Sequence, residues 1–254
     1  MEPFLKVEKA GRFFGGHKAV DDVSFDLAEN ALCALIGPNG AGKTTLFNLI
    51  SGALPLSAGA IRLLGRLVSG VESACAFGVA RTFQNVRLFH EMTVLENVMA
   101  AMGSMGFLKG SLPWPGRDRE ERLRLKKAWY LLEDMGVASL ADDPAGEIPF
   151  GQQRLVEVAR AMARQPKLLL LDEPAAGLNG RETAALSRVV RGINQKGVTV
   201  LLVEHDMSLV MGLVERVLVL DQGKLIFDGS PAQSRADPAV CAAYLGKDRS
   251  QAAA

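Results

Sequence analysis

The chain is 254 residues long, 48% hydrophobic and 22% charged, the composition of a globular protein with a sizeable core, which excludes general disorder. Twenty-nine Lys and Arg balance 28 Asp and Glu for a net charge of +1, so no broad positive field gathers a polyanion and a dedicated nucleic-acid binder is disfavoured. Cys33, Cys75 and Cys241 lie far apart without CxxC spacing, which fits a reducing cytosol better than a disulfide framework or a thiolate metal site.

No apolar run reaches the roughly 18–20 residues that cross a bilayer; even residues 92–108 are interrupted by Glu96 and Asn97. The beginning, MEPFLKVEKA, carries early acidic residues and does not read as a signal peptide.

Residues 1–30 predict a small antiparallel sheet, with FLKVEK and VDDVSFDLAEN as strands on either side of a turn at FFGG. ALCALIG at 31–37 is a continuous apolar run stopped by Gly-Pro, as in a strand buried on both faces, and TLFNLISG reads as a helix ending at Gly52. From 85 to 164 the helical period dominates, with Leu125, Trp129 and Leu132 on one face and Leu155, Ala159 and Met162 on another. GSLPWPGRDRE reads as an inserted loop before a helix starting near Arg119. That helix opens on RDREERLRLKK, whose mixed charges predict a solvated face.

LLLLDEP at 168–174 predicts a second buried strand, and 181–196 a helix with Leu186, Val189, Val190 and Ile193 in register. VTVLLVEHD at 198–206 predicts a third strand. RVLVLDQGKLIFDG reads as a hairpin, followed by a short helix ending in AAYLG. Strands alternating with helices predict an α/β fold with a mostly parallel, sandwiched sheet.

GPNGAGKTT at 37–45 satisfies GxxxxGK[ST] between a strand and a helix, the context this phosphate-binding loop requires. Gly37, Gly40 and Gly42 let successive N–H groups curl around phosphate oxygens. The helix N-terminus adds partial positive charge, Lys43 reaches the β and γ phosphates, and Thr44 is placed to ligate Mg²⁺. Asp172 and Glu173 end a buried strand where ligand crevices form in open α/β sheets. There Asp172 would hold the hydrated Mg²⁺ and Glu173 would orient or deprotonate an attacking water.

With these motifs in place, the chain resembles the nucleotide-binding subunit of an ATP-binding cassette (ABC) transporter over residues 4–245. The likeness is carried by Gln84 in ARTFQN, GQQRLVEVARAM at 151–162, AAGLN at 175–179 and His205 in VEHD. It implies a P-loop NTPase (RecA-like) core, with an N-terminal antiparallel β subdomain and a helical subdomain. The core would span about 1–84 and 166–246 and the helical part about 85–165, as one nucleotide-binding domain. It also implies ATP and Mg²⁺ as ligands. Gln84 would lie near Mg²⁺ and the reactive water, and His205 would donate to the γ phosphate. The whole loop (Gly37, Pro38, Asn39, Gly40, Ala41, Gly42, Lys43, Thr44, Thr45) would wrap the nucleotide. Phe14 resembles the aromatic that stacks on adenine; a core role for Phe13 or Phe14 is the alternative.

Where the family carries LSGGQ, residues 148–152 read IPFGQ, with Pro149 and Phe150 replacing Ser and Gly. In the family this segment, here Gly151 and Gln152, faces the γ phosphate on the other subunit, so sites form across a head-to-tail dimer. Pro149 removes a hydroxyl and a backbone donor, which leads to the expectation of a different partner cassette with a fuller signature. ARTFQNVRLFHEMTVLENVMAA, the loop around 113–116, VLLVEHDM and DPAVCAAYLG are similar to the ATPases of high-affinity branched-chain amino acid importers. That implies two permease subunits, indirectly a solute-binding protein, and a peripheral place on the cytoplasmic face of the inner membrane. Urea, short amides or aromatic acids are alternative cargoes. A soluble ABC ATPase acting on nucleic acid conflicts with the neutral charge, and a P-loop kinase would need an acceptor-binding segment that is not evident.

Overall fold

The computed structural model describes residues 3–102 and 117–251, and the inserted loop expected around 113–116 lies outside them. Two sheets form the frame. The first contains β1 (Leu5–Phe14), β2 (His17–Leu27), β4 (Ala58–Leu63) and β5 (Arg66–Leu67) in the order β2-β1-β4-β5, with antiparallel neighbours throughout. The second contains β3 (Leu32–Ile36), β6 (Val79–Arg81), β7 (Leu168–Asp172), β8 (Thr199–Val203), β9 (Arg216–Asp221) and β10 (Lys224–Gly229) in the order β10-β9-β3-β8-β7-β6. Strands β9, β3, β8, β7 and β6 run parallel, and β10 turns back as an antiparallel edge.

The continuous apolar strands follow from burial on both faces. In β7, Leu168 and Leu170 enter one core while Leu169 and Leu171 enter the other; in β8, Leu201 and Val203 divide from Val200 and Leu202 in the same way. The first core fills the space between the two sheets around α1 (Lys43–Ile50), with Leu46, Phe47, Leu49 and Ile50 buried. The second lies under α3 (Val94–Ala101), α4 (Arg117–Met135), α5 (Phe150–Met162), α6 (Gly180–Gln195) and α7 (Met207–Leu213). A short 3₁₀ turn (Ala138–Leu140) links α4 to the segment before α5.

The expected N-terminal antiparallel hairpin forms as β1 and β2, but Phe13 and Phe14 belong to β1 and only Gly15 and Gly16 make the turn; the buried strands and the β9–β10 hairpin form as the residue patterns predict. The last turns on Gln222 and Gly223 at φ 46° and 78°, the pair of positive φ angles that matches strand twist in a two-residue hairpin. The sequence reading did not anticipate β4, β5, α2 (Val71–Ala76) or β6, which are short and carry Gly, Ala and Arg in place of a long apolar run. The expected face of α4 needs correction. Leu132 is buried, but Leu125 and Trp129 are exposed. The stripe that meets the core is Ala128, Leu132 and Met135, because the small Ala128 lets the helix settle onto α3 and α5. The short C-terminal helix becomes two, α8 (Pro231–Ala236) and α9 (Pro238–Gln251).

Candidate functional site

The crevice lies at the carboxyl ends of β3, β7 and β8, which are adjacent in the sheet. After β3, residues 37–42 form a tight loop with Gly37, Gly40 and Gly42 at φ 149°, 78° and 101°. A Cβ on Gly37 would overlap the Leu220 carbonyl oxygen and one on Gly42 the Ala19 carbonyl oxygen, so packing from two other strands enforces glycine at both. A Cβ on Gly40 would meet nothing. Lys43, only 8% exposed, arches back over the loop and donates to the carbonyls of Gly37 at 2.7 Å and Pro38 at 3.0 Å. Pro38 and Ala41 are buried, Asn39, Gly40 and Thr44 exposed and Thr45 half-buried. No side chain caps the start of α1 and its first turn holds no acid. Its leading N–H groups are therefore unspent by side chains and face the crevice with the positive end of the helix dipole, which fits a phosphate chain.

Asp172 ends β7 and is buried. Arg81, at the end of β6, donates to its Oδ2 at 2.6 Å and to Asn48 Oδ1 at 2.5 Å. Glu173 follows in the left-handed region at φ 47°, and its N–H extends the ladder to the Val203 carbonyl at 3.0 Å. This kink turns the Glu173 carboxylate out of the sheet. Gln84 Nε2 donates to Glu173 Oε2 at 2.8 Å, and His205 Nδ1 stands 3.9 Å from the same oxygen. The last separation is too long for a hydrogen bond but leaves the imidazole beside the carboxylate. Gln84, Glu173 and His205 thus meet, although 121 residues of sequence part the first from the last.

Phe14 ends β1 with 45% of its surface exposed, and the Arg12 guanidinium lies 4.7 Å from its ring centre. Phe13 is exposed as well, beneath the Lys18 ammonium. The alternative of a core role for either phenylalanine is therefore overturned.

The signature segment opens α5. Pro149 is the N-cap at φ −55° and ψ 145°, without a side-chain cap, and its carbonyl accepts from Gln152 at 2.9 Å and Gln153 at 3.0 Å. Gly151 is buried because the Glu182 carboxylate, at the start of α6, occupies the place a Cβ would take. Phe150 remains 45% exposed, and its ring abuts Gly177 and the Arg154 guanidinium.

Four residues escape the sequence reading. Arg81 engages Asp172 as described. Arg154, one turn into α5 and buried, donates to the carbonyls of Phe83, at 3.0 Å, and Gln84. Glu157 lies beside it and accepts from the Phe83 N–H at 3.4 Å; burial pushes its carboxyl above the ordinary range, with the Phe83 amide and Arg154 pulling it back. Glu204 is buried next to His205, and burial pushes its carboxyl up against the opposing pull of the Ala175 and His205 amides. The available signal was a charged residue inside an otherwise apolar element, as in VTVLLVEHD.

The ABC transporter family model matches residues 20–176. The high-affinity branched-chain amino acid transport ATP-binding protein BraF of Pseudomonas aeruginosa is 43% identical over 96% of this chain and 98% of its own length. LivG of Escherichia coli K12, which carries the same functional description, is 42% identical over 97% and 99%. Among solved structures, an ATP-binding cassette of an ABC transporter in its ADP conformation superposes with a TM-score of 0.84 at 30% identity, over 97% of this chain and all of that one. With a strand-loop-helix phosphate cradle, the strand-end carboxylates and these likenesses along its length, the chain belongs to the ABC transporter family as one of its ATP-binding, ATP-hydrolysing proteins.

Proposed function

We propose that the chain powers an ABC importer for branched-chain or related amino acids. It would work with two permease subunits, a second ABC ATPase chain and, through the permeases, a solute-binding protein. The cargo reading rests on the full-length likeness to BraF and LivG, since no residue of an ATPase subunit needs to touch the cargo.

The observation that carries the catalytic reading is the meeting of Gln84 and His205 on Glu173 Oε2. Glu173 orients the attacking water and accepts its proton, Gln84 holds that carboxylate in place, and His205 turns its ring toward the γ phosphate. The residues 37–45 grip the phosphates through backbone N–H groups, Lys43 leaving its carbonyl partners for phosphate oxygens, and Phe14 offers its exposed face to adenine. Among the described residues no three His, Cys, Asp or Glu side chains form a metal cage. The buried Asp172 carboxylate, the exposed Thr44 hydroxyl and the Gln84 amide are oxygen donors of the kind that would hold Mg²⁺ beside the phosphates. Bound there, Mg²⁺ supplies neutralisation of phosphate charge.

The segment that carries Gln84 also contributes Phe83 and Arg87 to a cleft of about 490 Å³ between the α1–α2–β6 side and α3–α5, lined further by Val71, Cys75, Arg160 and Arg164. Exposed Val71 and Phe83 beside these cations make this cleft the seat for a permease segment, so that movement of the Gln84 segment is felt at the permease. No helix among the described residues is long and apolar enough to cross a membrane; attachment at the cytoplasmic face then comes through the permeases.

The signature end supports an unequal dimer. Pro149 brings neither hydroxyl nor N–H to the N-cap of α5, so the site it completes on a partner is two donors poorer than a site completed by LSGGQ. ATP turnover by this chain alone, with its partner cassette, and in vesicles containing the permeases and a solute-binding protein tests the assignment. ATP-dependent uptake of leucine, isoleucine or valine is expected. Uptake of urea, amides or aromatic acids instead would overturn the cargo, and full turnover as a homodimer would overturn the unequal pair.

A further inference from the structure

Glu204 follows β8 directly and is 1% exposed, a costly place for a carboxylate unless its oxygens are used. They are used by two separate chain segments. Oε1 accepts from the Ala175 N–H at 2.9 Å, and Oε2 accepts from the His205 N–H at 3.3 Å. Ala175 stands two residues beyond Glu173, so one buried group spans the exits of both β7 and β8. The Val203 carbonyl holds the Glu173 N–H from the same strand. Residues 203 and 204 therefore fix residues 173 and 175, on either side of Pro174 and across the left-handed kink at Glu173.

Buried acids are ordinarily neutralised by Lys or Arg. Here the partners are the backbone amides of Ala175 and His205. A neutral side chain of the same size would avoid burying a charge but leave one or both of these amides without an acceptor. Each segment uses its own oxygen; a carboxylate supplies two acceptor oxygens and no donor, where a hydroxyl or amide supplies one oxygen.

We propose that Glu204 is a positioning residue for ATP hydrolysis, holding the backbone after Glu173 against that of His205 so that Glu173 meets the attacking water while His205 meets the γ phosphate. The proposal rests on the ATPase assignment and assigns no contact between Glu204 and nucleotide. In Glu204→Gln one amide keeps its acceptor and the other faces an NH₂ group. In Glu204→Met both acceptors go while the volume stays.

The test measures steady-state ATP hydrolysis, KM for ATP and the thermal midpoint for wild type and both variants, each assembled with its partner subunits. The expected result is a kcat lower by about tenfold in Glu204→Gln, the equivalent of one charge-assisted hydrogen bond, and lower again in Glu204→Met. KM should stay within about twofold, with the midpoint near wild type in Glu204→Gln and lower in Glu204→Met, where two amides lose their acceptor. A folded Gln variant with wild-type kcat would overturn the role, as would a change confined to KM. Loss of folding in both variants, or midpoint and kcat falling together in Glu204→Gln, would assign Glu204 to core stability and overturn it equally. Wild-type turnover in the same preparation separates a failure of the ATPase assignment from a failure of this role.

Discussion

The phosphate-binding loop and the signature end of α5 both present a helix N-terminus, yet they are held in opposite ways. At the loop, geometry is fixed by backbone: glycines at positive φ sit against the Ala19 and Leu220 carbonyls where no Cβ fits. At α5, geometry is fixed by side chains reaching across segments. Arg154 donates to the carbonyls of Phe83 and Gln84, Arg160 to that of Arg87, and Phe150 leans on Gly177. A steric cradle has one arrangement, whereas guanidinium-to-carbonyl bonds can be exchanged for others at low cost. The loop is thus built as a fixed receptor, and the contact between α5 and the Gln84 segment as a joint.

The sharpest separation of chemistry from scaffold is Glu173→Gln. Turnover should fall by more than about 100-fold while ATP binding persists, because the amide keeps the shape and loses the base; rapid hydrolysis in a turnover assay would remove Glu173 from that role. Next, Gly42→Ala attacks the steric cradle. The left-handed φ of 101° and the Ala19 carbonyl should cost roughly 3 kcal/mol in denaturant unfolding, and a near-neutral result would show that the loop yields. Arg154→Lys attacks the joint: a point charge cannot serve two carbonyls as a guanidinium fork does. We expect kcat several-fold lower, the thermal midpoint down by only a few degrees, and faster hydrogen exchange in the Gln84 segment; unchanged exchange would dissolve the joint.

Two smaller effects complete the contrast. Burial raises the Glu157 pKa above its ordinary 4.5, so the folded state binds this proton more readily than the unfolded chain. That contribution to stability is complete below about pH 4.5 and is lost as pH rises through the folded value. Glu157→Gln should therefore lose less stability than wild type between about pH 5 and pH 7, read from thermal melts at both. At the surface, Lys196 pairs with Asp134 at 2.5 Å with both side chains about half exposed, and Lys196→Ala should change unfolding free energy by less than about 1 kcal/mol. A larger value would mean that the ion pair restrains α4 against α6 more than its exposure allows.

Much of this was legible in the residues. The glycine loop, LLLLDEP and VEHD each sit where a buried strand ends, so apolar runs alone put Lys43, Asp172, Glu173 and His205 at one edge of one sheet. Gln84 was legible only through family resemblance, since an amide in a loop carries no periodic signal. The partners of Arg81, Arg154 and Glu204 were not legible. Each of the three residues acts on main-chain or carboxylate groups far away in sequence: Arg81 lies 91 residues from Asp172, Arg154 70 from Gln84, and Glu204 29 from Ala175. The face of α4 misled for a related reason, because hydropathy ranked Leu125 and Trp129 above Ala128, while close packing rewarded the smaller residue.

Local order therefore belongs to the sequence: which stretches become buried strands, where glycine must turn the chain, and which charged groups stand at the strand ends. These follow from short-range sterics and from the two faces an apolar strand has to cover. The tertiary structure alone decided which distant amides Glu204 joins, which carbonyls Arg154 holds, and that Gln84 and His205 meet on one oxygen of Glu173. Such bonds exist only once buried polar groups must find partners away from water, and the fold chooses those partners from across the chain.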